Sequence, residues 1–281
     1  MRHMKTGMLC LISVVALAAC EKSDKGEYSK TLKNVNVIDE SNLNDIMLTV
    51  ADPNEAVTYF QKAARENPDR IDLQRGLGQS LLRAKRATEA GVIWSKIIKH
   101  PEANNDDKLA FANSLARQGE WKKAEKVLDT VPPTYETFER YRLEAIVADT
   151  NKEWKKADSF YETAVGLTTT PGSVLNNWGF SKLTRGDYDE AERLFGEAIT
   201  YDPTLFTAKN NMVLARGARK NYTLPIIQVT QTERAQLLHT MALTAIKQGD
   251  TQTGKSLLEE AIEIHPQHFE AAIRSLRTLE S

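Results

Sequence analysis

The sequence predicts an all-α solenoid of about six stacked helix pairs, closed by a capping helix at the C-terminal end. Three observations predict it. The pentapeptide Glu120-Trp121-Lys122-Lys123-Ala124 recurs verbatim as Glu153-Trp154-Lys155-Lys156-Ala157. A copy in type, Asp187-Tyr188-Asp189-Glu190-Ala191, follows at nearly the same spacing, with Tyr188 in the place of Trp154. Between these copies the small and large apolar residues fall three and four apart, the period of a helix face, and no run reads as a strand.

The fifth pair is the clearest. Its first helix, helix A, spans Val174 to Arg185 and carries Trp178 followed by Gly179, a large residue and then one small enough for a second helix to approach. Gly186 ends helix A, because a glycine just past a helix end adopts the left-handed conformation readily. Asp187 stands where a side chain caps the next helix. In helix B, Ala191, Phe195 and Ala198 share a face, and Pro203 closes the unit, since proline cannot continue the helix.

The other units are placed by the same marks. A first helix around Asn42 to Val50 precedes Ala56, Phe60, Ala63 and Pro68. Gly78, Ala90 and Trp94 mark the second unit, which ends near Pro101. Ala112, Gly119, Ala124 and Leu128 mark the third, closed by Pro132-Pro133. Ala145, Ala157, Tyr161 and Ala164 mark the fourth. After the fifth comes a lone helix, Thr204 to Arg219, then a break beginning Asn221-Tyr222-Thr223-Leu224-Pro225. A sixth unit starts near Thr232, with Ala242, Gly249, Gly254, Leu258, Ala261 and Pro266. A helix from His268 to Leu279 covers the apolar end, as terminal caps do in solenoids. A two-helix period of about 34 residues resembles the tetratricopeptide repeat (TPR). The expected organisation is a TPR array over 37–220, a non-helical break over 221–231, and a last repeat with its cap over 232–281.

The N-terminus reads as an export signal. Arg2, His3 and Lys5 precede an apolar run from Met8 to Ala19, too short to span a membrane comfortably and matching a secretory signal. It ends in Leu17-Ala18-Ala19-Cys20, which resembles a bacterial lipobox. That resemblance implies removal of residues 1–19 and acylation of Cys20, with several chains giving a stable membrane anchor. Cys20 is the last cysteine, and the polar stretch after it, residues 20–36, suits a tether that reaches about 50 Å when extended. The expected location is the periplasmic face of the outer membrane, with anchoring in the inner membrane as the alternative.

Composition narrows the function classes. The formal net charge is −1, and loss of Arg2 and Lys5 with the signal leaves 35 basic and 38 acidic residues, so no basic footprint for nucleic acid is present. Both cysteines, Cys10 and Cys20, lie in the first twenty residues, which excludes a cysteine nucleophile or cysteine-ligated metal from the repeats. Carboxylates such as Glu259-Glu260 are spread like solvated helix faces, and no acid–base or nucleophile constellation is assembled. Gly76-Leu77-Gly78 lacks the strand context and third glycine of a dinucleotide loop. Arg185-Gly186-Asp187 is explained by turn chemistry. His265 and His268 lack further ligands for a metal. Trp94, Trp121, Trp154 and Trp178 sit at repeat positions and read as packing. No enzyme, cofactor or metal is expected.

The resemblance to TPR arrays implies that helix A lines a groove for an extended peptide or a partner helix. Carried onto this chain, it points to Asn176, Asn177, Phe180 and Thr184 in the fifth unit and to Asn210, Asn211 and Leu214 in the next helix. The doublets Asn176-Asn177 and Asn210-Asn211 lie one repeat period apart and so stack side by side. Amides that both donate and accept can hold the backbone of an extended ligand. Arg75 and Arg142 also fall on groove positions, where a guanidinium meets carboxylates.

A narrower likeness covers most of the chain. Val37-Ile38-Asp39-Glu40 with Asp45-Ile46-Met47-Leu48, Asp72-Leu73-Gln74-Arg75-Gly76-Leu77, Thr232-Glu233-Arg234-Ala235-Gln236-Leu237-Leu238-His239, and His265-Pro266-Gln267-His268-Phe269-Glu270-Ala271-Ala272 resemble the TadD-type lipoproteins of the tight-adherence (Flp pilus) assembly system. The likeness implies a lipid-anchored scaffold that supports assembly or placement of the outer-membrane secretin. The partners it implies are the pilus secretin or other pilus assembly components. The competing expectation is a TPR lipoprotein of general envelope assembly, serving β-barrel insertion or regulating peptidoglycan enzymes.

Overall fold

The computed structural model describes residues 37–280, with side chains described for 43–279. The expected signal, lipid site Cys20 and tether lie outside the described residues. Within them the chain forms fourteen helices and no strand. In order these are α1 (Val37–Thr49), α2 (Pro53–Glu66), α3 (Ile71–Arg83), α4 (Ala87–Ile97), α5 (Asn105–Arg117), α6 (Trp121–Leu128) and α7 (Phe138–Thr150). They continue as α8 (Trp154–Gly166), α9 (Gly172–Thr184), α10 (Tyr188–Tyr201), α11 (Phe206–Ala218), α12 (Gln231–Lys247), α13 (Thr251–Ile264) and α14 (Glu270–Glu280).

Each helix packs on its sequence neighbour, so the array is a one-dimensional stack. The first helices of successive pairs also touch: α1 meets α3, α3 meets α5, α5 meets α7, α7 meets α9 and α9 meets α11. The second helices, α2, α4, α6, α8 and α10, make no comparable contact with one another among the described residues. Helices packed edge to edge on one side and spread on the other give a curved stack, with the helix A layer inside.

From α3 onward the reversal that ends each helix A repeats almost identically. Among the described residues, those with positive φ are Lys85, Gly119, Lys152, Gly186, Lys220 and Gly249. They recur at close to the repeat period, except that the last interval, from Lys220 to Gly249, is shorter than the others. The residue after each donates its N–H five residues back, as in Arg86 N to Leu81 O, Glu120 N to Leu115 O, Glu153 N to Ala148 O and Asp187 N to Lys182 O, at 2.8–3.0 Å. The same bond closes the α11 end, from Asn221 N to Arg216 O at 3.0 Å. Thus α11 ends as a helix A ends, but the chain then runs without a helix until Gln231. Tyr222, Leu224, Ile227 and Val229 of that stretch pack on Val213, Leu237 and Leu238, filling part of the space of the absent helix B.

Helix A and helix B meet at their small residues. A Cβ on Gly179 would lie 2.7 Å from Phe195 Cε1 of α10, closer than carbon atoms pack. Ala56, Ala90, Ala124, Ala157, Ala191 and Ala261 are fully buried on the second helices, which brings the two layers close along the whole stack. Trp94 and Phe195 fill the space between them.

Asp187 departs from the sequence expectation. It occupies the N-cap position of α10, but its side chain accepts no bond from that helix. The turn leaves Asp187 at φ −84° and ψ 69°, and its carboxylate faces Lys182 Nζ at 3.7 Å instead. Caps with a side-chain bond occur at Asp52, Asn104, Thr137, Thr230 and Asp250. Of these only Asp250 follows a left-handed turn residue.

Two outcomes follow from this packing. Gly179→Val should lower the unfolding free energy by about 1–3 kcal/mol, read as a lower denaturant midpoint, because the interhelical gap cannot accept the added methyls. Lys152→Gly should raise it by about 0.5–1 kcal/mol, since a lysine in the left-handed region is strained where glycine is not. A drop instead would show that this turn relaxes in solution.

Candidate functional site

The left-handed turn residues give a register for comparing helix A faces. The residues ten places before them are Arg75, Leu109, Arg142, Asn176, Asn210 and His239. Nine places before stand Gly76, Ala110, Leu143, Asn177, Asn211 and Thr240, and six before stand Gln79, Asn113, Ile146, Phe180, Leu214 and Leu243. The inner face therefore changes character along the stack. Its C-terminal half combines an amide and hydroxyl row with an apolar row.

The structure brings the two asparagine doublets together. Asn211 Nδ2 donates to Asn176 Oδ1 at 3.1 Å, and Thr240 Oγ1 donates to Asn210 Oδ1 at 2.8 Å. Asn176, Asn177, Asn210 and Asn211 are all half-buried, so each presents polar atoms to the groove while held from the side. The Thr184 hydroxyl donates to Ser181 O at 2.9 Å, back along its own helix. Phe180 is 49% exposed and Leu243 44%, with Leu214 between them half-buried. Large apolar side chains left open beside fixed amides make a surface suited to an extended chain.

The two arginines are placed differently. Arg75 forks onto Asp107 of α5, with both bonds at 2.8 Å, and donates to Glu102 O at 2.9 Å. Its carboxylate is thus one of the chain's own, and the pair joins two successive A helices. Arg142 stands half-buried on α7, in the same row as Asn176. A similar internal pair, Lys209 with Glu233 at 3.1 Å, ties α11 to α12 across the non-helical stretch.

Beneath the groove, a polar cluster fixes α8 against α9. Asp158 accepts from Trp178 Nε1 at 2.6 Å and from Lys182 Nζ at 3.1 Å, and pairs with Arg185. Burial raises the Asp158 pKa, but Arg185, Trp178 and Lys182 together outweigh it and hold the carboxyl below its usual range. Asp149 accepts from Ser181, yet burial dominates there and pushes its pKa up. Trp178, expected as packing alone, therefore also donates a hydrogen bond, while its ring stacks on Tyr161 at 6.1 Å.

Three groove residues escape the sequence reading: His239, Thr240 and Leu243. The signal exists, because Leu237-Leu238-His239-Thr240 aligns with Val174-Leu175-Asn176-Asn177 when each is counted back from its own turn glycine. The shortened interval between Lys220 and Gly249 breaks the period that would reveal it. Among the described residues no group of three His, Cys, Asp or Glu side chains is placed to hold a metal ion. None of the described helices is long and apolar enough to cross a membrane.

Comparison with known families agrees with this geometry. Residues 48–101 and residues 235–268 match two family models, each described as tetratricopeptide repeat. Those two stretches match the repeat, the stacked helix pairs have its fold, and repeats of this kind form protein-interaction scaffolds. No curated protein sequence matches the chain. Among solved structures, the APC/C hetero-tetramer Cut9-Hcn1 superposes with a TM-score of 0.62 at 16% identity, over 89% of this chain and 50% of that one. The chain thus spans half the length of that relative. A tetratricopeptide repeat protein from Parabacteroides merdae gives a TM-score of 0.56 at 15% identity, over 85% and 97% of the two chains. The C-terminal part of a TPR repeat-containing protein from Cytophaga hutchinsonii gives 0.54 at 13% identity, over 84% and 98%. At these identities the likeness is one of fold.

The cluster and the ladder differ in what their loss should cost. Asp158→Asn should cost about 1–2 kcal/mol at neutral pH, after solvent screening of a partly exposed group. Because the folded carboxyl titrates below its unfolded value of ~3.9, this stability is present above that pH. It fades as pH falls through the folded value, so the difference between wild type and Asp158→Asn narrows on acid titration. Asn211→Ala removes one half-exposed bond and should cost no more than about 1 kcal/mol in denaturant unfolding.

Proposed function

We propose that the chain is a lipid-anchored periplasmic scaffold of the tight-adherence (Flp) pilus assembly machinery. It holds an extended segment of a partner protein on the inner face of α9, α11 and α12. Its role is pilotin-like, supporting assembly of the outer-membrane secretin, and it performs no chemistry of its own.

The observation that carries the binding reading is the cross-helix ladder Asn211 to Asn176 and Thr240 to Asn210, flanked by the exposed Phe180 and Leu243. The bonds between neighbouring amides fix their orientation, so little side-chain freedom is lost when a peptide backbone docks. Three extended residues span about 10 Å, close to the ~8–10 Å between packed helices. An extended chain crossing α9, α11 and α12 therefore meets a polar pair about every third residue, Asn176-Asn177, then Asn210-Asn211, then His239-Thr240. The lipobox resemblance at Cys20 supports the anchor. Tethering at a membrane raises the effective concentration of the groove near an envelope partner and strengthens binding with no added contact.

The test is the amount of assembled secretin multimer in outer membranes from cells with wild-type protein, no protein or Cys20→Ala. The expected result is a fall in both altered strains. An unchanged multimer in both would remove the secretin role. A further strain carrying Asn177→Ala with Asn211→Ala is expected to show the same fall with the protein at wild-type abundance.

A further inference from the structure

The inner face does not end at the last left-handed turn. Between α12 and the capping helix α14 lies an open groove of about 650 Å³. His239 and Leu243 form one wall, and these are the counterparts on α12 of Asn176 and Phe180. Ala271, Arg274 and Leu279 form the other wall. The His239 ring bonds with Ser275 Oγ at 3.1 Å and packs against Phe269 at 5.4 Å between ring centroids, which sets the spacing of the two helices at that level.

The chemistry of this groove differs from the amide ladder. Its walls are apolar at Leu243, Ile246, Ala271 and Leu279, and no carboxylate is among the described residues that line it. The one guanidinium among those residues, Arg274, is 69% exposed, and its carboxylate partner is Glu270 at 3.6 Å on its own helix. A solvated pair of that kind contributes little, so Arg274 can turn to a ligand carboxylate at small cost. Guanidinium to carboxylate is among the stronger polar contacts, being charged and able to form two parallel bonds.

Resting on the binding reading above, we propose that the α12–α14 groove receives the end of the bound segment, and that this end carries an apolar side chain and a carboxylate two residues apart. In an extended chain, residues i and i+2 point the same way, so the apolar side chain enters between Leu243 and Leu279 while the carboxylate meets Arg274. The charge and the continuity of the apolar row Phe180, Leu214 and Leu243 into the groove select this ligand over an uncharged or basic segment. The ladder supplies grip on any extended backbone, and the terminal groove supplies sequence preference and direction.

The experiment is a methyl-detected NMR titration of the full chain with the peptide Gly-Ser-Leu-Ser-Asp-Ser-Gly, alongside versions with alanine for leucine and asparagine for aspartate. The expected result is saturable movement of the Leu243 and Leu279 methyl signals. Arg274→Ala should weaken binding about tenfold, the scale of one charged contact. On that variant the asparagine peptide should bind no more weakly than the aspartate peptide, as a double-mutant cycle through one contact requires. No movement at Leu243 and Leu279, or equal affinity for wild type and Arg274→Ala, overturns the proposal. Movement confined to Leu214 with sensitivity to Asn211→Ala also overturns it, yet leaves the groove-binding function standing.

Discussion

From α3 onward the fold depends on the reversal that ends each helix A. A left-handed residue and a bond reaching five residues back turn the chain within a few positions and, everywhere but after α11, send helix B down the side of its partner. Because the same device recurs at Lys85, Gly119, Lys152, Gly186, Lys220 and Gly249, the helix A faces fall into register along the stack. The rows of groove residues are a consequence of that register. Three of these six positions are lysine, so the turn is held by the packing on either side and does not rely on glycine's freedom.

The second constraint is the difference between the two layers. Contact between successive A helices, without matching contact between B helices among the described residues, bends the stack and gathers one set of side chains on the inside. Internal pairs such as Arg75 with Asp107 and Lys209 with Glu233 hold that inner layer from repeat to repeat. The non-helical stretch after α11 fits the same logic. The turn at Lys220 forms as elsewhere, and Tyr222, Leu224, Ile227 and Val229 cover the apolar surface in place of a helix. The inner layer passes this point without interruption, because α11 packs directly on α12.

Much of this is legible in the residues. The repeated Glu-Trp-Lys-Lys-Ala segment gives the period, Gly186 marks a reversal, and the asparagine doublets find each other because one period separates them. Other features are not legible, for identifiable reasons. The lysines at 85, 152 and 220 carry no local sign of a left-handed backbone, since nothing in a lysine favours it. Asp187 has the identity of a cap, but the turn geometry directs its carboxylate toward Lys182. The partner of Arg75 sits on another helix, a whole repeat away in the chain, beyond any local pattern. The α12 counterparts of the asparagines are hidden by the shortened interval before Gly249.

The central claim is that the inner face of α9, α11 and α12 holds an extended segment of another protein. Site-specific photo-crosslinking in cells tests it most directly, with a photoreactive residue placed at Phe180 on the inner face or at Val92, which is 54% exposed on the outer layer. The expected result is a discrete protein adduct from position 180, lost when Asn177 and Asn211 are both alanine, and none from position 92. Adducts of equal yield from both positions, or an adduct at 180 indifferent to the asparagines, would contradict it.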